Sequence, residues 1–300
     1  MRQKIENGIY SDLNNDHYHN SDGISNSGIS LILDCPRRYA HKYLSTIEHI
    51  RTKPMEIGSA FHTLCLEPKL FDEKYIVEPE LLKPNFKKGL KKHIGVEAFA
   101  KQKQALAEIE QTNKALMDGF ALQSLDKHVL SRKDFLMLEG MNESISRLPF
   151  MQAISKLENK IEHSLFWTDE NYNVQIKTRP DLFNDQFILD LKTTDSAKEE
   201  DFKRSIFNYG YHRQAAIALD GVKAVTGQEI TNFVIVAIEK EAPYLCAAYR
   251  LTNDAIERGR EEYTKGLSIY AQCLENNKWP GYSEIITDIG LPEWAMKRII

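Results

Sequence analysis

The stretch Lys177-Thr178-Arg179-Pro180-Asp181-Leu182-Phe183-Asn184-Asp185-Gln186-Phe187-Ile188-Leu189-Asp190-Leu191-Lys192 constrains this chain more than any other. It reads as two β-strands joined by a turn at Asn184-Asp185-Gln186. Phe187, Ile188 and Leu189 suit a buried strand. Asp190 and Lys192 are two apart on that strand and share a face. Asp181, at the start of the hairpin, can fold back beside Asp190. Two carboxylates and a lysine then converge at a sheet end. Hard oxygen ligands of this kind hold Mg²⁺, and a neighbouring lysine orients or deprotonates an attacking water. These are the groups that metal-assisted phosphodiester hydrolysis requires. An Asp–Lys pair on an exposed strand is usually just solvated; the apolar run that delivers this pair sets it apart.

The rest of the sequence supplies a frame for such a hairpin. Residues 1–24 are polar and read as irregular. Asn26 or Ser27 caps a helix running to Tyr43, with a kink or restart at Pro36. Glu56 to Glu67 reads as a second helix, stopped by Pro68. Residues 78–95 hold Pro79, Pro84, Gly89 and Gly95 with Lys83, Lys87, Lys88, Lys91 and Lys92, and read as a loop. Residues 96–160 have helical periodicity. Ile161–Thr168, Val174–Arg179 and Phe187–Thr193 read as strands. Lys198–Asp220 is helical with a break near Gly210. Phe233–Glu239 and Tyr244–Leu251 read as paired strands, and Asp254–Asn277 as a long final helix. Strands flanked by helices predict an α/β fold with a central mixed β-sheet. We expect one domain over 1–300: a mainly helical part (1–160), a catalytic sheet core (161–251) and a C-terminal helix and tail (252–300).

No run approaches the roughly 18 apolar residues of a membrane span, so no membrane partner is expected. Met1 to Asn7 has no apolar stretch of the signal-peptide kind, which predicts a cytoplasmic protein. The net charge of −4 means that any polyanion site must be a local basic patch.

Four segments together resemble the PD-(D/E)xK nuclease superfamily, in the branch of RecE (exonuclease VIII) and the nuclease domains of RecB and Cas4. They are Ile29–Tyr39, similar to an N-terminal helix; Gly58-Ser59-Ala60-Phe61-His62, similar to a Gly-x-x-x-His motif; Arg179-Pro180-Asp181 through Asp190-Leu191-Lys192-Thr193-Thr194; and Tyr209-Gly210-Tyr211-His212-Arg213-Gln214, similar to the helix that follows the core. Trp279-Pro280-Gly281-Tyr282 and Leu291-Pro292-Glu293-Trp294 extend the likeness towards the end of the chain.

The resemblance implies a restriction-endonuclease-like core and a Mg²⁺-dependent exodeoxyribonuclease, with Mn²⁺ able to substitute. It implies degradation of linear double-stranded DNA from 5′ to 3′, leaving 3′ tails for recombination in a phage or prophage. It also implies a RecT-like single-strand-annealing partner and a ring-shaped homo-oligomer, a tetramer. Other polarity, single-strand preference, or an inactive DNA-binding subunit are the alternatives. His62 and Glu162 join Asp181, Asp190 and the Leu191 carbonyl as implied metal ligands, and Gln214 stands near the nucleophilic water. The family's Gln-x-x-x-Tyr pattern departs at Ala218, where Tyr211 or Tyr209 takes the tyrosine's place. Some relatives hold an iron–sulfur cluster. Cys35 occupies the early ligand position, but Cys65, Cys246 and Cys273 are dispersed and no cluster is expected. Arg37, Arg38, Arg179, Lys87, Lys88 and Tyr211 are the expected DNA contacts, binding phosphate without reading sequence.

Overall fold

In the computed structural model, which describes residues 3–45, 52–86 and 94–292, the strands are β1 (Gly8–Tyr10), β2 (Tyr75–Val77), β3 (His128–Leu130), β4 (Lys160–Ile161), β5 (Ser164–Asp169), β6 (Val174–Thr178), β7 (Leu182–Phe183), β8 (Phe187–Thr194), β9 (Asn232–Glu239) and β10 (Cys246–Arg250). The helices are α1 (Asn15–Asn20), α2 (Asn26–Asp34), α3 (Pro36–Tyr43), α4 (Lys53–Leu66), α5 (Pro68–Lys74), α6 (Val96–Gln123), α7 (Arg132–Ser146), α8 (Pro149–Ile154), α9 (Glu199–Asn208), α10 (Tyr211–Thr226) and α11 (Asn253–Asn276).

The main sheet has the order β10-β9-β8-β7-β4. The β8–β9 pair is parallel and the others are antiparallel, so the sheet is mixed. A parallel neighbour needs a crossover, and α9 and α10 supply it between β8 and β9. Alternation along β8 gives each face its own core. Phe187, Leu189 and Leu191 pack with Ile57, Ala60 and Phe61 of α4 and Leu138 and Met141 of α7. Ile188 on the other face packs with α2, α10 and α11 through Ile29, Ile217 and Leu267. Each fully buried Leu or Ile here contributes roughly 1.5–3 kcal/mol. A second sheet, β1-β5-β6, lies over α10, where Trp167 meets Gly221.

The outline expected from sequence holds for the α/β class and for the elements from 187 to 276. Several expectations are corrected. Residues 1–24 are not irregular throughout: they contain β1 and α1, with Asn14 capping α1 through His17 N–H at 2.8 Å. Polar composition hides β1 because it is held by pairing with β5 and not by propensity. The 96–160 stretch contains β3, paired in parallel with β2. Ser25, not Asn26 or Ser27, is the N-cap of α2, and a new helix starts at Pro36. Pro68 opens α5 at its first turn as well as ending α4, because the missing N–H costs nothing there. The predicted Ile161–Thr168 strand is two strands in two different sheets.

Candidate active site

Two direct passages between the sheets lie at one corner. The chain leaves β4 and enters β5 at Glu162-His163, and leaves β6 and enters β7 at Arg179-Pro180-Asp181. Glu162 makes its turn with φ 53, the left-handed region. Its N–H donates to the Asp181 carbonyl at 3.0 Å. Pro180 offers no N–H to a ladder, which suits the point where strand pairing stops.

Beyond the short β7–β8 pairing the two strands diverge, and the Asp181 side chain fills the fork. Its Oδ2 accepts from the Leu191 N–H at 2.6 Å. Odd-numbered residues of β8 direct their backbone groups to this edge, as Phe187 does in accepting from the Asn184 N–H at 3.1 Å. The Leu191 carbonyl therefore faces the same fork. His62 reaches it from α4, held by the buried Ala60 and Phe61, and places Nδ1 3.2 Å from Asp181 Oδ1. One ligand atom each from His62, Glu162 and Asp181 lie within 4.8 Å of one another. Ligands on opposite sides of a divalent cation with bonds of about 2.0–2.6 Å stand about 4–5 Å apart, so this set fits such an ion.

Asp190 belongs to an adjoining group. It lies on the other face of β8, where Gln214 Nε2 of α10 donates to its Oδ1 at 2.7 Å. Lys192 forms a close ion pair with Oδ2. Oδ2 is buried with this ammonium against it. Lys192 Nζ also lies 4.9 Å from the centre of the Tyr211 ring.

Burial and crowding set the charges. Burial pulls the His62 imidazole down, but the charge and hydrogen bond of Asp181 outweigh it and carry His62 up to about 9. Burial would raise Asp181, and His62 beside it more than compensates, so its carboxyl stays below the usual range. Burial and then the Asp181 charge push Glu162 up to about 7. Asp190 rises to about 6, raised by burial, lowered in part by Lys192 and raised again by Asp181. Burial opposes the Lys192 ammonium, yet Asp190 and Asp181 hold its proton above the ordinary lysine range.

The expected residues are thus divided between positions. His62, Glu162, Asp181 and the Leu191 backbone meet at the fork, and Asp190, Lys192, Gln214 and Tyr211 meet beside it. Arg179 is turned away from solvent: Nε donates to Ser164 Oγ at 2.8 Å, Nη2 to the Leu13 carbonyl at 2.7 Å, and its guanidinium lies over the Tyr18 ring. Arg37 and Arg38 lie against the C-terminal segment, with Arg37 3.9 Å from Glu284 and Arg38 over Tyr282 and paired to Asp34. Lys87 and Lys88, with Lys91 and Lys92, lie outside the described residues. Glu67 escaped the sequence reading; its charge acts on Glu162 and Arg179. Its signal was position, at the end of the helix that carries His62. Ala218 is buried in the core. Two surface hollows, of about 590 and 570 Å³, share no residue with either group.

A family model described as "PDDEXK-like domain of unknown function (DUF3799)" matches residues 25–289. Comparison with curated proteins finds no match. Among solved structures, a "Putative exonuclease" from Eubacterium rectale aligns with a TM-score of 0.58 and 14% identity, covering 96% of this chain and 99% of that one. That likeness concerns the fold. A second structure, SSO0001, covers 54% of this chain and 70% of that one at 19% identity, with a TM-score of 0.26 that carries no argument.

Proposed function

Since the chain belongs to this PDDEXK-like family and so to the PD-(D/E)xK nuclease superfamily, we propose that it is a Mg²⁺-dependent exodeoxyribonuclease that degrades linear duplex DNA from 5′ to 3′. The observation that carries this reading is the meeting of Asp181, Glu162 and His62 at the sheet corner beside the Asp190–Lys192 pair. His62, Glu162 and Asp181 would hold the cation, with the Leu191 carbonyl facing the same fork. A bound divalent cation supplies charge neutralisation on the phosphate and a more acidic water.

The chain's own groups do the rest. Lys192 keeps its proton, so its part is to donate to a phosphate oxygen and not to take a proton from water. Gln214 fixes one oxygen of Asp190, which aims the other at Lys192. Asp190, its carboxyl raised to about 6, is the candidate proton acceptor near neutral pH. Tyr211 screens Lys192 from solvent on the α10 side.

The reading extends to double-stranded DNA ends as substrate, 3′ tails as the recombination product, a ring-shaped tetramer and a RecT-like annealing partner. These rest on the sequence resemblance. Digestion of a linear duplex labelled at either the 5′ or the 3′ end, with and without Mg²⁺, tests the core of it. Metal-dependent early release of the 5′ label is expected. Early release of the 3′ label would reverse the polarity and keep the nuclease. No release under any metal would overturn the enzyme.

A further inference from the structure

Two aromatic side chains stand exposed at the rim of the candidate site, Phe207 in the last turn of α9 and Tyr209 on the turn that joins it to α10. Phe207 is 67% and Tyr209 66% exposed. Single exposed apolar groups need no explanation, but Tyr209 is not isolated. Its ring stacks on Tyr211 with centroids 5.6 Å apart and an interplanar angle of 29°. The Tyr211 ring in turn lies 4.9 Å from Lys192 Nζ. A continuous ladder therefore runs from the ammonium that faces the reacting phosphate, through one ring, to a second ring open to solvent.

The turn that presents this ladder is firmly built. Gly210, between the two tyrosines, has φ +65, and its carbonyl accepts from the Gln214 N–H at 2.9 Å. A side chain at 210 would run into the Arg213 guanidinium. Arg213 is itself buried and fixed by Asn26 Oδ1 at 2.9 Å, Ser30 Oγ at 2.5 Å and Glu262 at 3.1 Å. Gln214, which orients Asp190, follows directly on the same helix. The placing of the rings and the placing of the reacting groups depend on the same backbone.

We infer that Tyr209 is a base-stacking residue that grips an unpaired deoxynucleotide next to the scissile phosphate. The inference rests on the nuclease reading above and adds a substrate feature to it. The path from Lys192 runs 4.9 Å to the Tyr211 ring centre and 5.6 Å from there to the Tyr209 ring, which places an open aromatic face close to the phosphate site. Within a duplex both faces of an interior base are covered by its neighbours, so a ring that must receive a single base beside the phosphate site needs a frayed or single-stranded end. Every base has such a face, so the grip is indifferent to sequence. It would select ends that open, and would hold the terminal strand while the next phosphate reaches Lys192.

The test uses the full chain and duplexes ending in two unpaired nucleotides, with either normal bases or abasic sites at those positions. Tyr209→Ala should raise KM on the order of tenfold on the base-bearing end, with kcat little changed. Tyr209→Trp should restore KM. On the abasic end, wild type and Tyr209→Ala should coincide. Equal KM values on the base-bearing end, or an equal loss on both ends, would overturn the inference while leaving the nuclease intact. A second readout needs no turnover: 2-aminopurine in the unpaired strand should be quenched by metal-free wild type and not by Tyr209→Ala. Should wild type cleave no DNA, the nuclease reading fails and the quenching alone decides on the stacking. Quenching that persists in Tyr209→Ala counts against it.

Discussion

His62 and Asp181 form a pair at 3.2 Å between a helix and a sheet corner, and each sets the protonation of the other. Asp181 holds a proton on His62, and that proton keeps Asp181 ionised. A divalent cation at the fork would displace that proton and keep Asp181 ionised in its place. The pair thus acts as a place-holder for a metal.

This gives a pH dependence of definite sign. His62, Glu162 and Asp190 have folded pKa values raised to about 9, 7 and 6. A raised group contributes stability that is present at low pH and lost as pH rises through the folded value. The metal-free protein should therefore lose stability between about pH 5 and pH 9. Cation binding releases the His62 and Glu162 protons and so strengthens over that window. The rise in Tm on adding Mn²⁺ should be larger at pH 8.5 than at pH 6. A constant or shrinking rise would remove His62 and Glu162 from the ligand set.

Asp181→Asn and Asp190→Asn should both abolish cleavage with circular dichroism unchanged. They should differ in metal binding. Asp181→Asn should lose the Mn²⁺-induced rise in Tm, because its carboxylate is central to the ligand group. Asp190→Asn should keep most of it. Near wild-type turnover in either variant would refute the site.

Lys192→Ala should lower turnover by roughly 10²–10³, the loss of one preorganised donor to the developing charge, with Mn²⁺ affinity largely retained. Calorimetry that finds no Mn²⁺ binding in this variant would merge the two roles separated here.

Arg179→Ala should act on stability. Its hydrogen bonds to Ser164 and Leu13 are of the charged kind, worth about 1.5–3 kcal/mol, so a fall in Tm of several degrees is expected. The salt slope of duplex binding by Asp190→Asn protein should be unaffected by it. Neutralising Lys87, Lys88, Lys91 and Lys92 together should flatten that slope, as each phosphate contact contributes to counterion release. The reverse pattern would return Arg179 to the DNA surface.

Gly259→Ala should destabilise by roughly 1–3 kcal/mol through overpacking. A Cβ at this point of α11 would stand 2.5 Å from the His212 carbonyl carbon and 2.8 Å from the Arg213 Cα. Backbone must move to admit it, and α10 carries Gln214. Chemical denaturation and turnover, measured together, should both decline. An unchanged midpoint would mean that the helices separate freely.

The hairpin was legible because strand alternation fixes which side chains share a face, and Asp190 and Lys192 do share one. The crossover helix was legible from its periodicity and its glycine break at 210. The bend at Glu162 was not. A glutamate at φ 53 has no signature in composition, and only the second sheet explains it. The cations misled for a related reason. Arg179 resembles a phosphate contact in sequence, and only the fold reveals that Leu13 and Tyr18 have claimed it. Sequence also places both aspartates in one ligand set, whereas the strand face assigns Asp190 to Lys192 and Gln214.

The family match begins at residue 25, yet β1 and α1 precede it. They close the small sheet along β5, and Ile5 and Tyr18 cover Phe166. They also supply the Tyr18 and Ser21 oxygens that receive the buried Lys177 ammonium at 2.7–3.2 Å. A chain shortened to the matched residues would expose β5 as a bare edge with an aromatic ring upon it, the kind of surface that recruits strands from other molecules. It would also free Arg179 beside Glu162. Insolubility of such a fragment would then reflect a missing selvedge on the sheet, and its inactivity would say nothing about the catalytic groups.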